Sequence, residues 1–212
     1  MPTHVKLFES WLGDIAASVK SAFTGEVSPE ETEVSDTEFK KNFETEIEDI
    51  SDLAKQSGME SMTKDKYFVV HHTAGHGTAE GVVGVLNSRD LGVQWVVDRE
   101  GKIFRTFPEG KIAWHAGHKD QKDAPTDLQN ATAQGVEVIA KNDEDVLPIQ
   151  VLAVFKILKY LGYSKDEVWG HGEVTYNKES TEGATITEFW RKHSDKSPEW
   201  AAKKLGLTEP TT

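Results

Sequence analysis

Two histidines stand at the ends of short apolar runs. His71 closes the stretch Lys66-Tyr-Phe-Val-Val, and His171 follows Glu167-Val-Trp-Gly. A strand end holds an imidazole rigidly at the rim of a sheet, and neutral imidazole is a favoured zinc ligand. One histidine so placed reads most simply as structural; two shift the reading toward a metal. A catalytic zinc takes three protein ligands and keeps one position open. The chain has no cysteine, so the third ligand must be His, Asp or Glu. The same absence removes disulfides, thiolate zinc sites and a cysteine nucleophile. His72 faces away from His71 by strand alternation and reads as packed or supporting. His76 and His118, in polar glycine-containing segments, read as solvent-facing.

Other chemistries lack their patterns. There is no G-x-S-x-G elbow for a serine hydrolase and no H-E-x-x-H zinc helix. In GHGTAEG, from Gly75 to Gly81, the last glycine falls one position too late for a dinucleotide fingerprint. His-Gly-Glu at 171–173 resembles the H-x-E of zinc deaminases, whose two cysteine ligands this chain cannot supply. A net charge of −12 argues against binding nucleic acid by neutralising phosphates.

These histidines need elements to hold them. From Lys66 onward the pattern alternates strands and helices. Strands are expected at 67–71, 93–98, 102–107 and 135–140, with a hairpin turn at Arg99–Gly101. A helix is expected over 78–88. Leu147, Val151, Val154, Phe155, Leu158 and Leu161 mark another, with Pro148 in its first turn and Gly162 past its end. Thr185 and Glu188 have capping-box spacing for a last helix. This order fits an α/β domain with a mixed central β-sheet flanked by helices.

The front of the chain differs. Residues 1–60 carry most of the net negative charge. Apolar residues from Leu7 to Phe23 and from Phe39 to Leu53 recur at helical spacing, and the acidic, proline-containing stretch between them reads as a linker. We therefore divide the chain into an acidic helical extension, 1–60, and a domain, 61–212. The two helices would pack on the domain, on each other or on a protein partner. No apolar run reaches the roughly 18–20 residues of a membrane span. The first residues lack a secretory signal pattern, so a cytoplasmic product is expected.

Four blocks now carry a resemblance. FVVHHTAG at 68–75, VQWVVDREGKIFRTFPEGKIAWHAG at 93–117, QGVEV at 134–138 and EVWGHGEV at 167–174 resemble, in order, the motifs of the type 2 N-acetylmuramoyl-L-alanine amidases and peptidoglycan recognition proteins. The resemblance runs from about residue 66 to 192. It implies that His71 and His171 bind zinc, that Glu137 is the acid/base residue, and that Trp114 and His115 line the substrate cleft. The catalytic tyrosine of many phage members is replaced by Val93. After His171 the sequence departs from the usual Lys-Thr-Asp-Pro-Gly. An ungapped match puts Thr181 at the ligand position; a small shift gives Lys178 as the oxyanion-stabilising cation and Glu182 as the third ligand, with Glu179 and Glu173 as alternatives. The pattern looks like a phage-type variant.

The resemblance implies zinc-dependent cleavage of the amide between N-acetylmuramic acid and L-alanine in peptidoglycan, acting on the wall after release, as a phage endolysin or virion-associated enzyme would. A non-catalytic muropeptide-binding module and a virion structural component remain as other readings.

Overall fold

The computed structural model describes residues 35–62, 64–116 and 122–207. The helix expected from Leu7 to Phe23, residues 24–34 of the linker and His118 lie outside them; residues 36–38 of the linker are helical.

Six strands form one sheet. In chain order they are β1 (Ile47–Asp49), β2 (Tyr67–His72), β3 (Trp95–Val97), β4 (Ile103–Arg105), β5 (Ala133–Val138) and β6 (Val168–Gly170). Their spatial order is β1-β4-β3-β5-β2-β6. Only β3 and β4 pair antiparallel, through the expected hairpin, where Gly101 at φ +79° makes the turn; the other neighbours run parallel. The sheet is therefore mixed, as the alternating pattern implies.

Side-chain alternation sends the two halves of each central strand to opposite cores. Phe68, Val70, Trp95, Val97, Val136 and Val138 meet α3 (Pro148–Leu161), α5 (Ala184–His193) and α6 (Pro198–Lys204) on one face. Val96, Phe104 and Ile139 meet Ala79 of α2 (Ala79–Ser88) on the other, with Val82 and Leu86 packed against them. Tyr67 and Val69 pack there with Ala116, Leu128 and Val174. His71 belongs to this second face by period-2 alternation, while His72 turns to the first.

Three expectations change. The helix marked by Phe39–Leu53 is shorter: α1 spans Asp36–Glu46, and the chain then enters β1 and a 3-10 turn at Ser51–Leu53. The reason is tertiary. Phe43 is 1% exposed and sits against Tyr160, and Ile47 gains a parallel partner in Ile103. Residues 36–53 thus supply a sheet edge and a core aromatic, although they lie on the acidic side of the boundary drawn at residue 60. Second, the helix after Glu182 starts at Ala184 with Gly183 at its N-cap. Thr185 forms no capping box, because its N–H and hydroxyl both donate to Asp143, at 2.9 and 2.6 Å. Third, α6, capped by Ser197 and opened by Pro198, is an element the sequence reading missed.

Candidate active site

β2 delivers His71 at its C-terminal end, and β6 delivers His171 one residue past its own. The two strands are direct parallel neighbours, so the imidazoles converge over 100 residues of sequence. The Nδ1 atoms of His71 and His171 lie 2.8 Å apart. Glu182 Oε1 stands 2.9 Å from His171 Nδ1 and 3.7 Å from His71 Nδ1. All three residues are buried.

Glycines bring Glu182 there. The chain after His171 folds back onto β2 and β6 so tightly that a Cβ on Gly170 would lie 2.7 Å from the Glu182 carbonyl oxygen, and one on Gly172 2.2 Å from that of Glu179. Gly183 has φ +87°, and a Cβ on it would lie 2.5 Å from the Val70 carbonyl oxygen. Only glycine fits both that backbone conformation and that approach. The Gly172 N–H also donates to the Glu182 carbonyl at 3.0 Å.

The other candidates for the third position are occupied or outside. Glu173 holds Arg191 at 2.7 Å and accepts from the Gly170 N–H. Glu179 and Thr181 are exposed. Lys178 is half-exposed, and its Nζ lies 3.4 Å from Glu182 Oε2, the oxygen facing away from His171.

Glu137 on β5 is the register partner of His71, so both side chains leave the sheet on one face. Its Oε2 is fully buried and has no hydrogen-bond partner among the described residues. Burial, reinforced by the Glu182 charge, raises its carboxyl to about 8. Burial opposes ionisation of Glu182 as well, but the facing imidazoles of His171 and His71 outweigh it and hold that carboxyl below the usual range. Burial, with the neighbouring His171, keeps His71 well below its ordinary value. Two imidazole nitrogens and a carboxylate oxygen thus converge on one buried volume, which calls for a cation. Donors about 2.0–2.1 Å from a tetrahedral zinc would be roughly 3.3–3.4 Å apart, and the observed 2.8, 2.9 and 3.7 Å bracket that spacing. The donor set fits zinc.

Trp114 is 36% exposed. His115 is half-buried. Its Nδ1 lies 3.0 Å from His71 Nε2 and its Nε2 3.1 Å from the Ala133 carbonyl oxygen. Its contact with His71 had no signal in the sequence, because the partners are 44 residues apart on different elements.

A mixed α/β sheet carrying a buried two-histidine, one-carboxylate cluster beside an isolated carboxyl is the layout of a hydrolase able to hold a metal. A family model described as N-acetylmuramoyl-L-alanine amidase matches residues 61–185. The chain belongs to that family, and amide hydrolysis in peptidoglycan is its enzyme class. Among solved structures it is similar to the N-acetylmuramoyl-L-alanine amidase LysC from Clostridium intestinale URNW, at 20% identity over 61% of this chain and 85% of that one, with a TM-score of 0.51. It is similar too to the PlyG catalytic domain, at 17% identity over 78% of this chain and 97% of that one, with a TM-score of 0.51. At these identities the likeness concerns the fold. No curated protein matches the chain.

Proposed function

We propose that the chain is a zinc-dependent lytic amidase that cuts the bond between the lactyl group of N-acetylmuramic acid and the L-alanine of the stem peptide. The observation that carries this reading is the convergence of His71 Nδ1, His171 Nδ1 and Glu182 Oε1 in a buried site. These three atoms would hold the ion. Zinc, when bound, lowers the pKa of a water molecule and polarises the scissile carbonyl.

The chain's own groups do the rest. Glu137, as the carboxylate, would take a proton from the attacking water on Oε2 and give it to the leaving amine. Its partial burial keeps bulk water from competing for that proton. Lys178 places a cation beside Glu182, where it would stabilise the oxyanion as charge builds on the carbonyl oxygen. Trp114 presents an apolar ring to the substrate.

The binding-module reading requires a lost ligand or a lost base; the close grouping of two histidines and a carboxylate beside a buried carboxyl supports the catalytic reading instead. Among the described residues no helix is long and apolar enough to cross a membrane. We assign the enzyme to the wall after release from the cytoplasm, as a phage lysis enzyme or virion component would act. Incubation with defined muropeptides, followed by mass spectrometry, tests the reaction. Release of an intact stem peptide with a free L-alanine amine is expected; muropeptide bound but uncut by the zinc-loaded protein would favour the binding module.

A further inference from the structure

The His115 ring touches two acceptor-capable groups, one on each nitrogen, and one of them permits a single role only. Ala133 O is a carbonyl oxygen and cannot donate. His115 Nε2, 3.1 Å away, must therefore carry the proton. A neutral imidazole has one N–H, so His115 Nδ1 is an acceptor. The atom 3.0 Å from it is His71 Nε2, which must then donate. That leaves the lone pair of His71 on Nδ1, the atom facing His171 and Glu182.

We propose that His115 is a positioning residue that fixes the tautomer and ring orientation of His71, so that His71 Nδ1 meets the metal as a lone pair. This rests on the reading of His71 as a ligand.

The chain is built around the relay. The His115 and Ala116 N–H groups both donate to Asn130 Oδ1, at 2.9 and 2.8 Å, which fixes the backbone that carries the ring. Gly135 leaves the ring its space: a Cβ there would lie 2.6 Å from His115 Cε1 and Nδ1. The two imidazole planes cross at 80°, so neither ring can slide over the other. The strand that carries the Ala133 carbonyl is also the strand that carries Glu137. A ligand oriented by a hydrogen bond through its second nitrogen is a stronger base, and loss of such a partner typically costs about 10–100-fold in metal affinity.

Long-range proton–nitrogen correlation spectra of the metal-free full chain, with imidazole signals assigned by substitution, read the tautomers directly. The Nε2–H form is expected for both His71 and His115. An Nδ1–H form of His71 in the folded metal-free protein would overturn the proposal whether or not the protein binds zinc. Zinc titration of His115→Leu and His115→Asn supplies the second arm. An Asn oxygen can occupy the place of His115 Nδ1 and accept from His71, so His115→Asn should keep affinity within about 3-fold of wild type, while His115→Leu loses about 10–100-fold. Equal losses in the two variants would also contradict it. If wild type binds no zinc, the metal reading fails while the spectra still judge the relay.

Discussion

Glu137 and Glu182 are both carboxyl groups in one small volume, yet their surroundings push them apart. Glu137 has a buried oxygen with no partner and a carboxyl raised to about 8, while Glu182 is held ionised by two imidazoles. Paired carboxyls driven in opposite directions mark an acid/base group and a charged ligand. Glu137→Gln is thus expected to keep stoichiometric zinc and cut turnover by about 10²–10⁴-fold. Near-normal turnover in the folded, zinc-loaded variant would remove Glu137 from the mechanism. Glu182→Ala should lose zinc and hydrolysis together, whereas Glu179→Ala, at an exposed position, should change neither. Metal analysis of the purified variants separates them. At this scale the histidines were legible because a polar residue ending an apolar strand is a conflict that chemistry resolves. Glu182 was less so: one residue of shift separates it from exposed Thr181, and only the glycine-governed fold-back decides between them. His115 was legible as a member of a motif but not as the partner of His71.

Elements hold the site through backbone proximity, and Gly183 is where that proximity is tightest. Gly183→Ala would put a methyl group against the Val70 carbonyl in a left-handed conformation. We expect a lower melting temperature and weaker zinc binding from displacement of Glu182, read by calorimetry and titration. At the other sheet edge, α1 and β1 contribute Phe43 and the pairing of Ile47 with Ile103. Phe43→Ala should cost about 3–5 kcal/mol, and a chain beginning at Ser61, which lacks both elements, should unfold at a much lower temperature than one beginning at Ser35. Equal stability of the two chains would show that β1 is dispensable. The central strands and α3 were readable because their apolar spacing and the Pro148 and Gly162 signals agree with the final packing. The end of α1 was not: 39–53 keeps helical spacing throughout, and the switch to β1 comes from a sheet edge that no local pattern reveals. Thr185 likewise has cap chemistry, but Asp143 takes its donors first.

The whole molecule couples its stability to pH through buried histidines. His193 packs between Phe189 and Trp200. Burial, helped by Lys192 and Lys204, lowers it from 6.5 to about 4. At His193 the folded state therefore resists the proton that the unfolded chain accepts, so this residue's contribution to stability is full above about pH 6.5 and is lost as pH drops toward 4. His193→Phe should flatten that slope by on the order of 1–2 kcal/mol across the window; an unchanged slope by denaturant titration would place the titration elsewhere. The same economy of burial concentrates chemistry at one rim of the sheet: β2, β5 and β6 are adjacent, and their C-terminal ends carry His71, Glu137 and the approach to His171. That adjacency joins residues 100 positions apart into one centre, and it is what makes the peptidoglycan amidase reading specific. Diffraction from crystals of the zinc-loaded protein, recorded above and below the zinc absorption edge, tests it most directly. One anomalous peak bonded to His71 Nδ1, His171 Nδ1 and Glu182 is the result predicted. A protein that takes up no zinc, or holds it away from these three side chains, would contradict the account.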